Sequence, residues 1–382
     1  MKVAVISCFA EKSNYNRGNF MYEYFRERNA DCFMIYSEFQ HGSKENVIVD
    51  DEHWISIKTL AYSKNVSPQR LLSHIIFGIK AAKTLEALKP DVVYMAVPPN
   101  SVTLFAMKVA LKMKCKIILD IVDLWPESFP APPKIKKMLS PVLTIWRKLR
   151  DDRLTDANAL IFECDLYKDY LERDKLRHKN SHVIPLAKEG QNNPNPDYMS
   201  CLNDTLNICY LGSINLLIDI ELVVKVLAGV SQQRKLKLHI IGKGDKKGEL
   251  LSELSKNKID FKDYGSIYDD LEKNKIMSFC DFGLNLYRES TMIGLTYKSI
   301  DYLAAGLPLI NSIKSDTWRF VESDGVGINC DRPSFQATII QLVKIETKEI
   351  SEMKKNAFEC YLDNFESSVV KKKLDQVMET II

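Results

Sequence analysis

Lys298 and Asp301, a lysine and a carboxylate three residues apart, carry the most chemistry in this chain. They lie in Gly294-Leu295-Thr296-Tyr297-Lys298-Ser299-Ile300-Asp301-Tyr302-Leu303-Ala304-Ala305-Gly306-Leu307-Pro308, which reads as a short helix that opens after a glycine and stops at Gly-x-Pro. The apolar run Asp281–Leu286 ends shortly before it. Three-residue spacing puts both side chains on one helix face. A helix that starts behind a strand offers free backbone N–H groups and a dipole that attract phosphate. Lys298 can then meet a phosphate and Asp301 accept hydrogen bonds from a ribose. The same spacing also describes an amphipathic helix with a salt-bridged face.

Two further groups stand out. In Asp120-Ile121-Val122-Asp123-Leu124-Trp125-Pro126-Glu127-Ser128, two acids end an apolar strand and are expected at the mouth of a cleft, where a carboxylate is functional or caps the next helix. Behind them Lys134, Lys136, Lys137, Arg147, Lys148 and Arg150 bring six positive charges and no acid between Ala131 and Arg150. Ile135, Met138, Leu139, Val142, Trp146 and Leu149 recur there at helical spacing, and Ser140-Pro141 reads as an N-cap and first helical residue, giving two short helices. A basic, Trp-bearing face of this kind suits an anionic bilayer, each Lys or Arg near the surface contributing about 1 kcal/mol. A core-facing helix with solvated lysines is the other reading.

The elements that position these residues alternate. Short β-rich runs at Val3–Cys8, Cys32–Tyr36, Val92–Ala96, Ile117–Ile121, Ala159–Phe162 and His182–Pro185 are separated by helical patterns, clearest at Gln69–Leu88 and Ser101–Met113. The polar, proline-broken stretch from Lys188 to Asp197 is the most linker-like. The alternation then restarts, with strands near Asn207–Leu211, Leu236–Ile241, Ile259–Tyr264, Asp281–Leu286, Leu309–Asn311 and Gly327–Asn329. Helices are expected between them at Ile220–Val230, Glu249–Ser255, Asp269–Phe279 and Tyr297–Ala305. This pattern predicts two α/β domains, each a doubly wound parallel sheet: residues 1–187, a linker at 188–204, and residues 205–365, with a last helix at 366–382.

Composition bounds the rest. The 382 residues suit two domains, and a net charge of 53 − 50 = +3 gives no sign of a nucleic-acid binder. Nine single cysteines without Cys-x-x-Cys suit a reducing compartment, and six histidines without ligand spacing leave no metal site to expect. No run approaches the roughly 20 apolar residues of a membrane span. The expected location is the cytoplasm, with peripheral association at the cytoplasmic membrane.

The stretch from Thr296 to Pro308 resembles the nucleotide-sugar signature of the family-4 retaining glycosyltransferases of GT-B fold, roughly Pro-x-Lys-x-x-Glu-Tyr-Met-Ala-x-Gly-x-Pro. Asp123-Leu124-Trp125-Pro126 resembles a branch that builds bacterial capsule, O-antigen and related polysaccharides on a lipid carrier. Further matches are the Gly212-Ser213 turn, Gly242-Lys243-Gly244, the Gly265 turn, and Arg17-Gly18-Asn19-Phe20 in the place of a glycine loop. Gly242-Lys243-Gly244 has the wrong spacing for a dinucleotide fingerprint.

The resemblance implies two Rossmann-like domains facing a cleft, with the last helix crossing back to the first. It implies retaining, metal-independent transfer of a hexosyl or N-acetylhexosaminyl group from a nucleotide sugar, by analogy a uridine diphosphate sugar, with no other cofactor. The acceptor is expected to be a lipid-linked or growing cell-surface polysaccharide. Gly18, Gly212, Ser213, Gly242, Lys243, Gly265, Lys298 and Asp301 would hold the donor nucleotide and phosphates, Gly294, Leu295 and Thr296 its sugar, and Asp123 and Arg288 would be catalytic. Three departures stand against this: Ile293 where relatives carry a first acid, Asp301 in place of Glu, and no basic residue after the Gly212 turn. A non-catalytic scaffold partner or a nucleotide-sugar epimerase of the same fold are the alternatives.

Overall fold

A computed structural model of the chain describes residues 1–12, 16–64, 67–129, 133–173, 178–190 and 205–381. They form two compact units, one made of Met1–Ala187 and the chain from Lys371 onward, the other of Lys188–Val370. From residue 191 to 204 the expected linker lies outside the described residues.

The first unit runs β1 (Lys2–Ile6), α1 (Arg17–Glu27), β2 (Asp31–Ser37), β3 (Trp54–Ile57), α2 (Pro68–Leu88), β4 (Val92–Val97), α3 (Ser101–Leu104), α4 (Ala106–Lys112), β5 (Lys116–Ile121), α5 (Pro133–Met138), α6 (Ser140–Asp151), β6 (Ala159–Phe162), α7 (Asp165–Arg173) and β7 (Ser181–Val183). Its seven strands are parallel, in the order β3-β2-β1-β4-β5-β6-β7. The second unit runs β8 (Thr205–Leu211), α8 (Ile220–Ser231), β9 (Lys235–Ile241), α9 (Lys247–Lys256), β10 (Asp260–Gly265), α10 (Asp270–Met277), β11 (Phe282–Asn285), α11 (Tyr297–Ala304), β12 (Leu309–Asn311), α12 (Asp316–Ser323), β13 (Gly327–Asn329), α13 (Phe335–Lys344) and α14 (Thr347–Asn364). Its six parallel strands follow the order β10-β9-β8-β11-β12-β13. The last helix, α15 (Ser367–Glu379), starts in the second unit and ends in the first, where Asp375 pairs with Arg28 at 2.6 Å and Lys371 with Glu27 at 2.6 Å.

Strands β4 and β11 are buried at every position, as a sheet covered on both faces requires. Both strand orders reverse beside the first strand of the unit, between β1 and β4 and between β8 and β11. The carboxyl ends of the strands at such a switch point form the ligand crevice of an open α/β sheet.

Some expectations need correcting. Arg17-Gly18-Asn19-Phe20 is not a loop: it opens α1, capped by Asn16, whose side chain accepts the Asn19 N–H at 3.1 Å. Gly18 is small because a Cβ there would sit 2.3 Å from Ser7 Oγ. The helix expected over Ser101–Met113 bends at Phe105 into α3 and α4. Edge strand β3 has no clear sequence signal because it is half-exposed and gives no continuous apolar run. Among the described residues no helix is long and apolar enough to cross a membrane.

Candidate functional site

The second unit carries a pocket of roughly 350 Å³ lined from the end of β8, the segment that follows β11, Lys273 of α10 and the start of α11, at the switch point of its sheet. Local sequence explains how α11 reaches it. The Tyr302 hydroxyl accepts the Leu211 N–H at 2.6 Å and donates to the Cys209 carbonyl at 3.2 Å, tying α11 to β8. Gly283 admits that ring, since a Cβ there would lie 2.5 Å from it. Asn285 Nδ2 donates to Ser299 Oγ at 3.1 Å, tying α11 to β11. Thr296 caps the helix by accepting the Ser299 N–H at 3.1 Å. Across from it, Gly212 turns with φ +107°, a conformation that favours glycine.

Lys298 defines the pocket's chemistry. It is 8% exposed, and its Nζ has no hydrogen-bond partner. The ammonium lies over the rings of Tyr210 and Tyr287, 4.6 and 4.5 Å from their centroids. Burial pushes its pKa down from 10.5 to about 7. That displacement corresponds to roughly 5 kcal/mol of lost solvation, of which each ring returns roughly 0.5–2 kcal/mol. An unpaired cation in a buried place is a costly arrangement that an anion would relieve.

Asp301 has a protein partner. Lys188 Nζ donates to Asp301 Oδ1 at 2.5 Å and lies 3.6 Å from Asp270 Oδ2. Lys188 is fixed from behind: its N–H donates to the Phe365 carbonyl at 2.9 Å, and its carbonyl accepts from the Ser367 N–H at 3.0 Å and the Tyr361 hydroxyl at 3.1 Å. Burial alone would lower the Lys188 pKa, but the Asp301 and Asp270 carboxylates outweigh it and raise it. Asp270 also pairs with Lys273, which lines the pocket. Lys188 and Lys273 are thus paired with Asp270 and Asp301, and Lys298 is the further base of the pocket, with no carboxylate on it among the described residues.

The other predicted residues divide. Gly212, Ser213 and Thr296 line the pocket with Lys298 and Asp301. Gly294 and Leu295 do not: Leu295 is buried, and the Gly294 carbonyl accepts the Thr317 N–H at 3.0 Å and hydroxyl at 2.7 Å. Gly242 supports the Gly212 turn, since a Cβ there would meet the Gly212 carbonyl oxygen at 2.0 Å. Gly265 turns with φ +73° at the end of β10, and its carbonyl accepts the Gly242 N–H at 2.6 Å. Lys243 is exposed, 5.6 Å from the Tyr268 ring. Arg288 is exposed outside the pocket, with Nε 3.3 Å from the Ile218 carbonyl. The sequence reading missed Lys188, Lys273, Tyr210 and Tyr287 as site residues. Only Lys273 left a local signal, its three-residue spacing from Asp270 at a helix start.

In the first unit, Asp120 is fully buried rather than at a mouth, bonded by Arg17 Nε at 2.7 Å and the Tyr94 hydroxyl at 2.5 Å. Asp123 is half-buried and accepts the Ser128 hydroxyl at 2.5 Å, so it stitches the turn behind β5; burial raises its pKa against that bond. The basic stretch forms α5 and α6 as expected, but its face is different. Trp146 points inward, and Arg150 is wholly buried, with Nη1 and Nη2 on the Glu127 carboxylate at 2.9 and 3.1 Å. Lys134, Lys137, Arg147 and Lys148 are exposed, Lys136 less so, beside exposed Ile135, Met138, Val142 and Ile145. Among the described residues no group of three or more His, Cys, Asp or Glu side chains is placed to hold a metal ion.

No protein-family model matches the chain, and no curated protein matches it in sequence. Solved structures match its fold over nearly the whole length. Sucrose-phosphate synthase from Thermosynechococcus elongatus superposes with a TM-score of 0.75 at 15% identity, over 99% of this chain and 98% of that one. HepE of Anabaena, in complex with UDP-glucose, gives 0.70 at 13% identity over the whole of both chains. The lipopolysaccharide outer core galactosyltransferase WaaB gives 0.69 at 14% identity, again over both whole chains. The chain therefore has the GT-B fold, two Rossmann-like parallel-sheet domains.

Proposed function

We propose that the chain is a retaining, metal-independent glycosyltransferase that takes a sugar from a nucleoside diphosphate sugar, by analogy a uridine diphosphate sugar. The acceptor is a lipid-linked or growing polysaccharide at the inner face of the cytoplasmic membrane. The observation that carries the reading is the buried, partnerless ammonium of Lys298 at the start of α11, a place where helix N–H groups also favour an anion. Three structures of the same fold support it, holding UDP-glucose, UDP-2-fluoro glucose and UDP as bound ligands.

In this mechanism Lys298 and Lys273 receive the diphosphate, and Asp301, held by Lys188, faces the ribose. The bond between the anomeric carbon and the phosphate oxygen breaks as the acceptor oxygen bonds to that carbon from the same face. The acceptor proton passes to the departing phosphate oxygen, and Lys298 stabilises the charge that remains. Asp123 faces the acceptor, and the exposed cations of α5 and α6 meet anionic lipid.

Calorimetric titration with nucleoside diphosphates and their sugars, with and without chelator, followed by turnover over an acceptor panel, tests this. Saturable binding by one nucleotide, lost in Lys298→Ala, is expected. A flat response across the panel removes the donor assignment. Ile293 in place of an acid and the engagement of Asp301 by Lys188 favour one second reading, a binding partner without turnover. Nucleotide binding with no transfer would select it, and conversion of the donor without an acceptor would select an epimerase.

A further inference from the structure

A second pocket, roughly 390 Å³ in volume, lies in the first unit beside Asp123, whose carboxylate acts on Arg70 at its edge. Its walls are apolar, with Leu71 of α2, Trp125 and Phe129 behind β5, and Val142, Leu143 and Trp146 of α6. One end is different. Ser67 and Pro68 begin the 21-residue helix α2 there, and Arg70 and His74 follow one turn apart. Arg70 is only 8% exposed, its guanidinium 4.4 Å from the Trp125 ring, and its Nε donates to His74 Nε2 at 3.4 Å. His74 accepts through Nε2, so its proton sits on Nδ1, which is buried and has no hydrogen-bond partner. An apolar trough that ends at a helix N-terminus, a buried guanidinium and a partnerless N–H has the chemistry of an anion joined to a hydrocarbon.

We infer that this pocket binds a single phosphate-linked hydrocarbon chain, with the phosphate at Arg70, His74 and the start of α2 and the chain along Leu71, Trp125, Leu143 and Trp146. The occupant is one amphiphile rather than bulk membrane, because the apolar surface is concave and takes a chain edge-in. The row of Met138, Val142 and Ile145, flanked by Lys137, Arg147 and Lys148, carries the trough out to an exposed basic surface from which such a lipid would enter. Calling the amphiphile the acceptor's carrier rests on the transferase reading; binding itself does not.

Trp125 and Trp146 line the pocket, so intrinsic fluorescence reports occupancy. The full chain is titrated with monomeric farnesyl phosphate, farnesol, inorganic phosphate and phosphatidylglycerol vesicles. Farnesyl phosphate should saturate about tenfold or more tighter than farnesol or phosphate, since both ends of the site contribute. Val142→Asp, at a half-exposed position that tolerates a polar residue, should weaken it about tenfold with an unchanged melting temperature, while Lys256→Glu, exposed on α9 in the second unit, should leave it unchanged. Equal affinity for farnesol and farnesyl phosphate, or indifference to Val142→Asp, would overturn the site. Binding to vesicles with none to farnesyl phosphate would assign the face to bulk membrane and overturn it as well. A nucleotide titration on the same sample separates the readings: farnesyl phosphate binding without nucleotide binding keeps this pocket and sinks the transferase, and the reverse result sinks this pocket alone.

Discussion

With burial holding its pKa near 7, Lys298 is charged in roughly one molecule in ten at pH 8, and an anion that needs the ammonium must bring a proton with it. A phosphate against the ammonium favours the charged form and should return the pKa to about 10 or above. Between pH 7 and pH 9 the affinity for a nucleoside diphosphate sugar, whose phosphodiester oxygens do not titrate there, should then fall roughly 40-fold, about 2.2 kcal/mol. Tyr210 and Tyr287, the rings over the ammonium, are both pushed up by burial, and Lys188 is raised by its carboxylates, so none of them titrates in this window. Cys209 also acts on Lys298, so the profile is repeated in Cys209→Ser.

The assay is calorimetry at pH 8 in buffers of different ionisation heat, which counts protons directly; about 0.9 proton should be taken up per ligand bound. Lys298→Met should remove the uptake and flatten the profile, with affinity at pH 7 lower by about 3–4 kcal/mol, the free energy that goes with a pKa raised by about three units on binding. Tight binding that is independent of pH in the parent protein, with no proton uptake, would refute the reasoning.

The same lysine predicts a stability curve. A base whose folded-state pKa is depressed binds fewer protons folded than unfolded between about 7 and 10.5, so it destabilises fully below 7 and progressively less as pH rises. Lys298→Met should stabilise the ligand-free protein at pH 6 by at most about 5 kcal/mol, less the ring contacts, and the gain should vanish toward pH 10.5 in urea titrations. Lys188→Met and Asp301→Asn should each cost about 1.5–3 kcal/mol, and the double change no more than the larger single one, as a double-mutant cycle would read. Arg150→Met should cost about 3–5 kcal/mol in the same assay, because Glu127 loses its buried partner, whereas Lys148→Ala should stay within about 0.5 kcal/mol.

Lys298 was legible because its signal is local: an apolar run, a glycine, and a lysine three residues from an acid within the first turns of the helix that follows. The rest of its surroundings was not. Tyr210 and Tyr287 meet it only because β8 and β11 are neighbours, a fact of sheet order that no spacing along the chain encodes. Lys188 looked like the first residue of a linker, and its role depends on the distant Phe365 and Ser367, which pin its backbone. Helical periodicity correctly marked α6 as amphipathic but could not say which apolar residues face in. Trp146 does, and Met138, Val142 and Ile145 do not. Strands β4, β5 and β8 were plain in the sequence, since burial on both faces demands continuous apolar runs.

The departures from the family pattern act together. Ile293, where a first acid was expected, lines the pocket as an apolar side chain, and the second acid spends one oxygen on Lys188. Thr296 is engaged as a cap, and Asn215 Oδ1 accepts the Leu217 N–H at 2.9 Å. Few strong acceptors are left for the hydroxyls of a donor sugar, while Lys298, which takes up a proton as an anion binds, still favours a diphosphate. Binding energy in this pocket should therefore rest on the nucleotide and its phosphates. A nucleoside diphosphate should bind within about tenfold, 1.4 kcal/mol, of its own sugar. Calorimetry of the two ligands decides it: a sugar conjugate bound a hundredfold tighter would mean that hydroxyl recognition comes from groups other than these, and the account of the pocket would fail there.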